Sequence, residues 1–293
     1  MKESIRMLQI TLLPKLSTSS FKLKTKFSHQ CLPDRKDCKY SELTRGRREA
    51  KPDMNTQFIQ EIQFDWNNLD EDSYVRDIQA FQGLETLKFS KLVTFFVGEN
   101  GSGKSTLLEA IAVAHGFNPE GGTKNYVFST YDEYPELCDA IRLSKGYRKE
   151  KSGYFLRAES FYNVATQEEQ YADIAHPSAE YHKQSHGESF LALVHDNFGA
   201  NGLYLLDEPE AALSPQRQLT LLWEIVRCVK EGSQFIIATH SPILLGIPDA
   251  EICCFDKGAV HRCSYEETAS YQITELFINH REEVLKNLLV NQN

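Results

Sequence analysis

The feature that most constrains this chain is the stretch 98–106, which reads GENGSGKST. It contains G-x-x-x-x-G-K-S, the pattern of a phosphate-binding loop. The apolar run before it (92–97) predicts a buried strand, and the run after it (107–114) predicts a helix. Strand, glycine loop and helix are the context that this loop needs, because glycines let the backbone turn several N–H groups toward an anion. We therefore expect nucleotide phosphates to bind here.

The side chains of the loop have their own predicted contacts. Lys104 can reach the β- and γ-phosphates, and the Ser105 hydroxyl can ligate Mg²⁺. The helix that follows adds its positive N-terminal end. The candidate nucleotide-binding residues of the loop are Gly98, Glu99, Asn100, Gly101, Ser102, Gly103, Lys104, Ser105 and Thr106.

Two later apolar runs, 203–208 (LYLLDE) and 235–240 (FIIATH), predict buried strands that end in chemically active side chains. Ligands of open parallel sheets bind at the carboxyl ends of the strands. We therefore expect Asp207, Glu208 and His240 to meet the phosphate loop.

These three residues suit the hydrolysis of a nucleotide. Asp207 can hold Mg²⁺, Glu208 can act as general base for the attacking water, and His240 can sense the γ-phosphate or orient that water. With Lys104, Glu208 and His240 are the candidate catalytic residues. Taken alone, the acidic pair is also what a solvated strand end looks like, and Thr239-His240-Ser241-Pro242 is also good turn chemistry.

Strands alternate with helices along the chain, which predicts an α/β fold of the P-loop NTPase type, with a mostly parallel sheet flanked by helices. The further predicted elements are a strand near a sheet edge at 58–64, a short helix at 136–143, a strand at 154–159, a helix at 215–230 with Ser214 as N-cap, a hairpin around Lys257-Gly258 and a helix at 270–289.

The chain has no apolar run of 18 residues, so no membrane span is expected. Its seven cysteines show no paired C-x-x-C spacing. We expect all of them to be reduced thiols and the protein to be cytoplasmic.

Residues 1–53 differ from the rest of the chain and are predicted to be a basic, disordered extension before the domain at 54–293 that carries these motifs. Positions 1–52 hold 13 Lys/Arg against 5 Asp/Glu, a balance of +8, whereas the remainder holds 19 against 36, a balance of −17. Met54 opens the first well-patterned stretch and is a candidate natural start. An arm that binds nucleic acid and a transit peptide are alternatives for the extension. Direct binding of nucleic acid by the acidic body is expected to be weak.

The ordered set GENGSGKST, QSHGES, LYLLDEPEAALSP and IIATHS resembles the ATP-binding-cassette (ABC) ATPases. It is most similar to the soluble SMC/RecF-like branch, in the form of a compact stand-alone ATPase. The resemblance extends from about 57 to about 255. Only 81 positions separate Lys104 from Ser185, too few for long coiled-coil arms. The resemblance implies ATP and Mg²⁺ as ligands and a small helical subregion that carries the signature motif.

The resemblance also implies roles for single residues. Ser185, Gly187 and Glu188 fall in the signature motif, which in this family binds the γ-phosphate of ATP held by the other subunit. The copy here departs from the family at His186, where glycine is usual, and at Glu188, where transporters have glutamine. The segment 211–214 resembles the D-loop, which touches the partner's site. A homodimer in the ATP state is thereby implied.

Three further residues are implied less directly. Arg157 and Glu159 stand where the family carries its Q-loop, although neither is glutamine. Glu159 joins Ser105 and Asp207 as a candidate metal ligand. Tyr74 lies 30 positions before Lys104, where an aromatic ring often stacks on adenine, although a partly buried core tyrosine is as good an explanation. Arg76 is an alternative nucleotide contact.

The leading functional hypothesis is an ATPase whose subunits close around ATP, open after hydrolysis and act as a switch on an effector that the sequence does not name. The alternatives are the nucleotide-binding subunit of an ABC transporter and the ATPase of a DNA-repair or anti-phage defence complex. The atypical signature motif and the missing Q-loop glutamine count against the transporter.

Overall fold

The computed structural model describes residues 56–124, 135–158 and 186–290. All of these residues lie in one compact unit, Pro52–Asn293. The predicted extension at 1–53 lies outside the described residues and stays a prediction.

The described residues form nine strands and five α-helices. The strands are β1 (Ile59–Phe64), β2 (Thr86–Lys88), β3 (Val93–Val97), β4 (Ile141–Lys145), β5 (Ser152–Arg157), β6 (Gly202–Asp207), β7 (Gln234–Ala238), β8 (Glu251–Asp256) and β9 (Ala259–Cys263). The helices are α1 (Lys104–His115), α2 (His186–Asn197), α3 (Pro215–Lys230), α4 (Ala269–Asn279) and α5 (Arg281–Val290).

The main sheet has the order β5-β6-β7-β3-β8-β9, and all its neighbours are parallel except β9, which pairs antiparallel with β8. The prediction of a mostly parallel sheet is confirmed. Strands β3, β6 and β7 are buried along their whole length, as continuous apolar runs predict for a sheet that is covered on both faces.

The two faces of the sheet are covered by different elements. Side chains alternate along each strand, so Phe96 and Ile236 pack on one face while Phe95 and Phe235 pack on the other. The first face packs against α1, and the second packs against α2 and α3. The helix after the phosphate loop and the helix that begins at the signature motif therefore lie on opposite faces.

The register places the predicted site residues at one edge. Asp207 at the end of β6 is level with Ala238 at the end of β7, and Ala238 is level with Phe96 of β3. The phosphate loop starts two residues after Phe96, and His240 lies two residues after Ala238. All three strands thus deliver their following residues to the same carboxyl edge.

A second, antiparallel sheet with the order β2-β1-β4 corrects two predictions. The strand that was expected near an edge, β1, is the central strand of this sheet. The helix expected at 136–143 is a 3-10 turn, Glu136–Ala140, followed at once by β4. In both places the pairing of β1 with β4 outweighs the local pattern, because side-chain packing on a sheet decides strand formation more than propensity does.

The C-terminal region also differs from its prediction. The expected helix at 270–289 is two helices, α4 and α5, because His280 leaves helical dihedral angles (φ −132°, ψ 34°). Asn279 and His280 are both weak helix formers, which suits a break there. The predicted hairpin around Lys257-Gly258 is confirmed as β8 and β9.

The expectation that every cysteine is reduced is wrong for one pair. Cys254 on β8 and Cys263 on β9 form a disulfide, with their Cα atoms 6.5 Å apart. The hairpin explains the pairing: Cys263 is opposite Ile252, which is two residues from Cys254, so the two cysteines lie on the same face as diagonal neighbours. Cys138, Cys228 and Cys253 are free thiols.

No helix within the described ranges is long and apolar enough to cross a membrane.

One buried side chain joins the two sheets. Gln234, at the start of β7, is fully buried. Its Oε1 accepts hydrogen bonds from the N–H groups of Phe58 (2.8 Å) and Ile59 (2.9 Å), and its Nε2 donates to the Ile59 carbonyl (2.9 Å). One side-chain amide thus provides hydrogen-bond partners for three backbone groups at the start of β1.

Replacing Gln234 by leucine should therefore destabilise the protein by about 2–4 kcal/mol, because buried backbone groups lose their partners. Urea unfolding followed by circular dichroism measures the change. Gln216→Leu, at an exposed position in the first turn of α3, is the matched control and should change stability by less than about 0.5 kcal/mol. Equal stability of the two variants would show that Gln234 does not join the sheets.

Candidate functional site

The phosphate loop turns sharply between β3 and α1, and two of its glycines are needed where they stand. A Cβ on Gly98 would lie 2.7 Å from the Phe255 carbonyl oxygen and 2.9 Å from the Ser102 hydroxyl. Gly103 has a φ of +97°, and a Cβ there would lie 2.7 Å from the Phe81 ring. The loop is therefore packed closely from both sides, which holds its backbone in one shape.

Lys104 begins α1 and is almost fully buried. Its ammonium group donates to the carbonyls of Gly98 (2.9 Å) and Glu99 (3.0 Å), so the side chain folds back over its own loop. Burial lowers the pKa of Lys104, and the nearby carboxylates of Asp207 and Glu208 act in the opposite direction. The ammonium is held above the loop, where phosphate oxygens are expected.

Ser105 and Asp207 meet as predicted. The Ser105 hydroxyl donates to Asp207 Oδ1 at 2.8 Å, which joins the first turn of α1 to the end of β6. The hydroxyl of Ser102 is buried and has no hydrogen-bond partner among the described residues, as suits a group that faces a ligand inside the loop.

The Ser105–Asp207 pair fits Mg²⁺ that arrives with a nucleotide. Magnesium is usually held by one or two carboxylates together with phosphate oxygens and water, rather than by an all-protein cage. Within the described ranges, no three His, Cys, Asp or Glu side chains lie together as such a cage. A hydroxyl and one carboxylate would suit a metal ion that phosphate oxygens also ligate.

Glu208 has an uncommon backbone conformation. Its φ of 48° and ψ of 49° lie in the left-handed region, which a non-glycine residue seldom adopts. The residue stands between β6 and a 3-10 turn, Pro209–Ala212, and its N–H donates to the Ala238 carbonyl at 2.9 Å. Strained residues of this kind cluster at functional sites, where the surrounding structure over-determines them.

His240 faces Glu208 across the edge of the sheet. Its Nε2 is 3.7 Å from Glu208 Oε1, and this nitrogen is buried without a hydrogen-bond partner in the described part of the chain. Burial lowers the pKa of His240, the Lys104 cation lowers it further, and Glu208 and Glu210 oppose both effects. The imidazole is therefore neutral near pH 7 and can donate or accept a hydrogen bond.

Arg157 occupies the end of β5, where the resemblance places a Q-loop. Its guanidinium lies 3.2 Å from Glu109 Oε1 and 3.8 Å from Asp207 Oδ2. The position therefore carries a cation beside the predicted metal ligand, instead of a neutral glutamine. Neither sequence periodicity nor motif spacing predicted this contact. Glu159, the third candidate metal ligand, lies outside the described residues.

The two candidate base contacts are placed differently. Tyr74 is 56% exposed, and its hydroxyl lies near Thr106 in the first turn of α1, so its ring is beside the loop and accessible. Arg76 is already engaged, because its guanidinium donates to the carbonyls of Trp66, Leu69 and Asp70. These bonds give Arg76 a structural role in closing the loop before it.

The signature motif is described only in part. Ser185 lies outside the described residues, and α2 begins at His186. Gly187 packs closely against Arg217 of α3: a Cβ there would lie 2.5 Å from Arg217 Nη1 and 3.2 Å from the Ala212 carbonyl. Glu188 pairs with Arg217 at 3.0 Å. The signature glycine thus touches the segment that resembles the D-loop.

Models of two protein families match the chain. Residues 74–184 match a model described as an AAA domain, and residues 189–246 match one described as an AAA domain, putative AbiEii toxin, Type IV TA system. The first match spans the phosphate loop, and the second spans Asp207, Glu208 and His240. No protein among the curated ones matches the chain.

Three solved structures with similar folds are distant from this chain in sequence. A putative metal-chelate type ABC transporter in an inward-facing conformation is 17% identical, with a TM-score of 0.38, and the match covers 75% of this chain and 89% of that one. The SMC head domain from Thermotoga maritima is 16% identical (TM-score 0.37; 70% and 98% covered). The cbiO1 protein from Clostridium perfringens, part of the ABC transporter complex cbiONQ, is 15% identical (TM-score 0.40; 80% and 99% covered).

A phosphate loop, an acidic pair and a histidine meet at one edge of a parallel sheet, within the residues that the two domain models match. Two stretches of the chain thus resemble AAA domains, and its motifs follow the order found in stand-alone ABC/SMC-like ATPases.

Proposed function

We propose that the protein is a cytoplasmic ATP-dependent switch in which two chains close head to tail around two ATP molecules and separate after hydrolysis. The observation that carries the proposal is the pair Glu208–His240, set beside the Ser105–Asp207 contact at one end of the sheet. The proposed base, its polar partner and the proposed metal-binding pair all lie at this one edge of the sheet.

The residues divide the chemistry among them. Lys104 and the loop N–H groups bind the β- and γ-phosphates. Mg²⁺ held by Ser105 and Asp207 would screen the phosphate charges. Glu208 takes the proton of the attacking water, and the neutral His240 orients that water or contacts the γ-phosphate. Electrostatic positioning is expected to supply most of the rate enhancement.

The location of α2 supports a site shared between two chains. α2 begins within the signature motif and packs on the face of the sheet opposite to α1. A phosphate bound at the start of α1 is therefore separated from the chain's own signature motif by the sheet. Two chains related by a twofold axis can instead supply each other's missing half, with Gly187 and Glu188 of one facing the phosphate loop of the other.

Replacing Lys104 by alanine should weaken ATP binding by about 100-fold or more, because a charge-assisted contact to phosphate in a buried site is lost. Titration with a fluorescent ATP analogue measures the affinity. Lys230→Ala removes a charge from the exposed end of α3 and should bind like the wild type. Unchanged affinity of the Lys104 variant would contradict the assignment of the phosphate loop.

Replacing Glu208 by glutamine keeps the shape of the side chain and removes the base. This variant should bind ATP, hydrolyse it at least about 100-fold more slowly, and stay dimeric with ATP and Mg²⁺. Ser185→Arg should bind ATP as a monomer, because a bulky cation blocks the facing site. Light scattering with and without ATP-Mg²⁺ measures the mass of both variants.

The shared site would be contradicted in two ways. One is a Glu208→Gln protein that remains monomeric at saturating ATP. The other is a Ser185→Arg protein that hydrolyses ATP at the wild-type rate.

A second candidate function, the ATPase of a defence complex, is favoured by one observation. The family model that matches 189–246 is described by its name as a putative toxin of a type IV toxin–antitoxin system. In that case the ATPase would control a toxic or nucleolytic partner rather than bind DNA tightly, since the chain after position 52 carries a balance of −17 (19 Lys/Arg against 36 Asp/Glu). Growth arrest on expression that needs an intact Glu208 would favour this function.

A further inference from the structure

A second carboxylate lies next to the proposed base and has partners of a different kind. Glu210 is in the 3-10 turn Pro209–Ala212 that follows Glu208. Its Oε2 accepts a hydrogen bond from the Thr239 hydroxyl at 2.7 Å, and its Oε1 accepts one from the His240 N–H at 2.5 Å. Both donors come from the two residues that follow β7.

The two bonds hold the backbone at His240 directly. Thr239 is fully buried, and its hydroxyl also accepts from the Ser241 N–H at 3.0 Å, so its position is set from two sides. A carboxylate that accepts from a main-chain N–H makes a short, charge-assisted bond. The orientation of the His240 peptide therefore depends on a side chain from the neighbouring strand's turn.

Hydrogen bonds connect the turn that carries the proposed base, Glu208, with the segment that carries His240. On one side, the Glu208 N–H donates to the Ala238 carbonyl at 2.9 Å. On the other, Glu210 binds Thr239 and His240. These bonds hold the backbone on both sides of the 3.7 Å gap between Glu208 Oε1 and His240 Nε2. A change in either link would alter the distance between the two groups.

We propose that Glu210 is a positioning residue for ATP hydrolysis: it accepts from the His240 N–H and the Thr239 hydroxyl and so sets where the imidazole stands relative to Glu208. The inference rests on the proposed role of His240 in the reaction. Glu210 itself neither touches the nucleotide nor transfers a proton in this account.

Two further hydrogen bonds connect this network to the segment 211–214, which resembles the D-loop. The Ser241 hydroxyl donates to Gln218 Oε1 at 2.6 Å, and Gln218 Nε2 donates to the Leu213 carbonyl at 3.1 Å. The segment 211–214 is thus held between Glu210 at its start and Gln218 just after it.

A double-mutant cycle tests the proposal with Glu210→Gln, His240→Ala and the combined variant. The two donors reach different oxygens of Glu210, and glutamine has an NH₂ donor in place of one of them, so it cannot keep both bonds. We expect Glu210→Gln to lower kcat by about 10- to 100-fold with ATP affinity unchanged within about 2-fold, since the group acts after binding. In the His240→Ala background the same substitution should cost less than about 2-fold, because two residues that act as a unit are not additive.

Two further variants keep the test decisive. Glu282→Gln on the exposed surface of α5 removes one negative charge and should have wild-type kcat. Thr239→Val removes only one of the two donors to Glu210 and should give a smaller loss than Glu210→Gln. If Glu210→Gln fails to fold, this milder variant replaces it in the same cycle.

The outcomes separate the two claims. An equal loss of kcat from Glu210→Gln with and without His240 would overturn the positioning role and leave the proposed ATPase mechanism standing. A His240→Ala protein with wild-type kcat would instead remove His240 from the mechanism, and the positioning role of Glu210 with it.

Discussion

The site depends on the parallel register of β3, β6 and β7. Phe96, Ala238 and Asp207 are level with one another, so the residues that follow each strand emerge at one edge. Backbone hydrogen bonds across that edge continue the register past the strand ends, from Thr239 N to the Phe96 carbonyl (3.2 Å) and from Glu208 N to the Ala238 carbonyl (2.9 Å). A slip of one residue would turn Asp207 away from Ser105, because successive side chains point to opposite faces.

Charge is arranged at this edge so that it suits a phosphate ligand with its metal. Lys104 is buried among carboxylates, and Asp207, Glu208 and Glu210 all favour its charged form against the cost of burial. Its ammonium is held by two carbonyls of the loop rather than by one of these acids. A cation held this way contacts an incoming phosphate without first breaking an ion pair, and this reduces the reorganisation on binding.

Much of this arrangement was predictable from local patterns. The phosphate loop, the acidic pair and the histidine each follow a buried apolar run, and parallel strands bring such ends together. Other features needed information that single runs do not carry. The second sheet forms because β4 pairs with β1 about 80 positions earlier, although its residues also suit a helix. The Cys254–Cys263 disulfide likewise follows from strand pairing, because it joins β8 to β9. The break at His280 falls at two weak helix formers.

The residues around the site were predicted less well than its centre. Two contacts could not be predicted from one stretch of sequence, those of Arg157 with Asp207 and of Glu210 with His240. Each joins residues at the ends of different strands. In the sequence, Glu210 stands out only as a third acidic residue, two positions after Glu208. Gln234 is similar: a polar residue at the start of an apolar run marks a buried backbone junction.

The most direct test of the shared site mixes two inactive proteins. A Ser185→Arg chain keeps its own phosphate loop and Glu208, and a Glu208→Gln chain keeps its signature motif. Mixed before ATP is added, they can form one complete site between them. The account predicts a rate of ATP hydrolysis well above the sum of the two proteins measured separately. A rate equal to that sum would contradict the shared site.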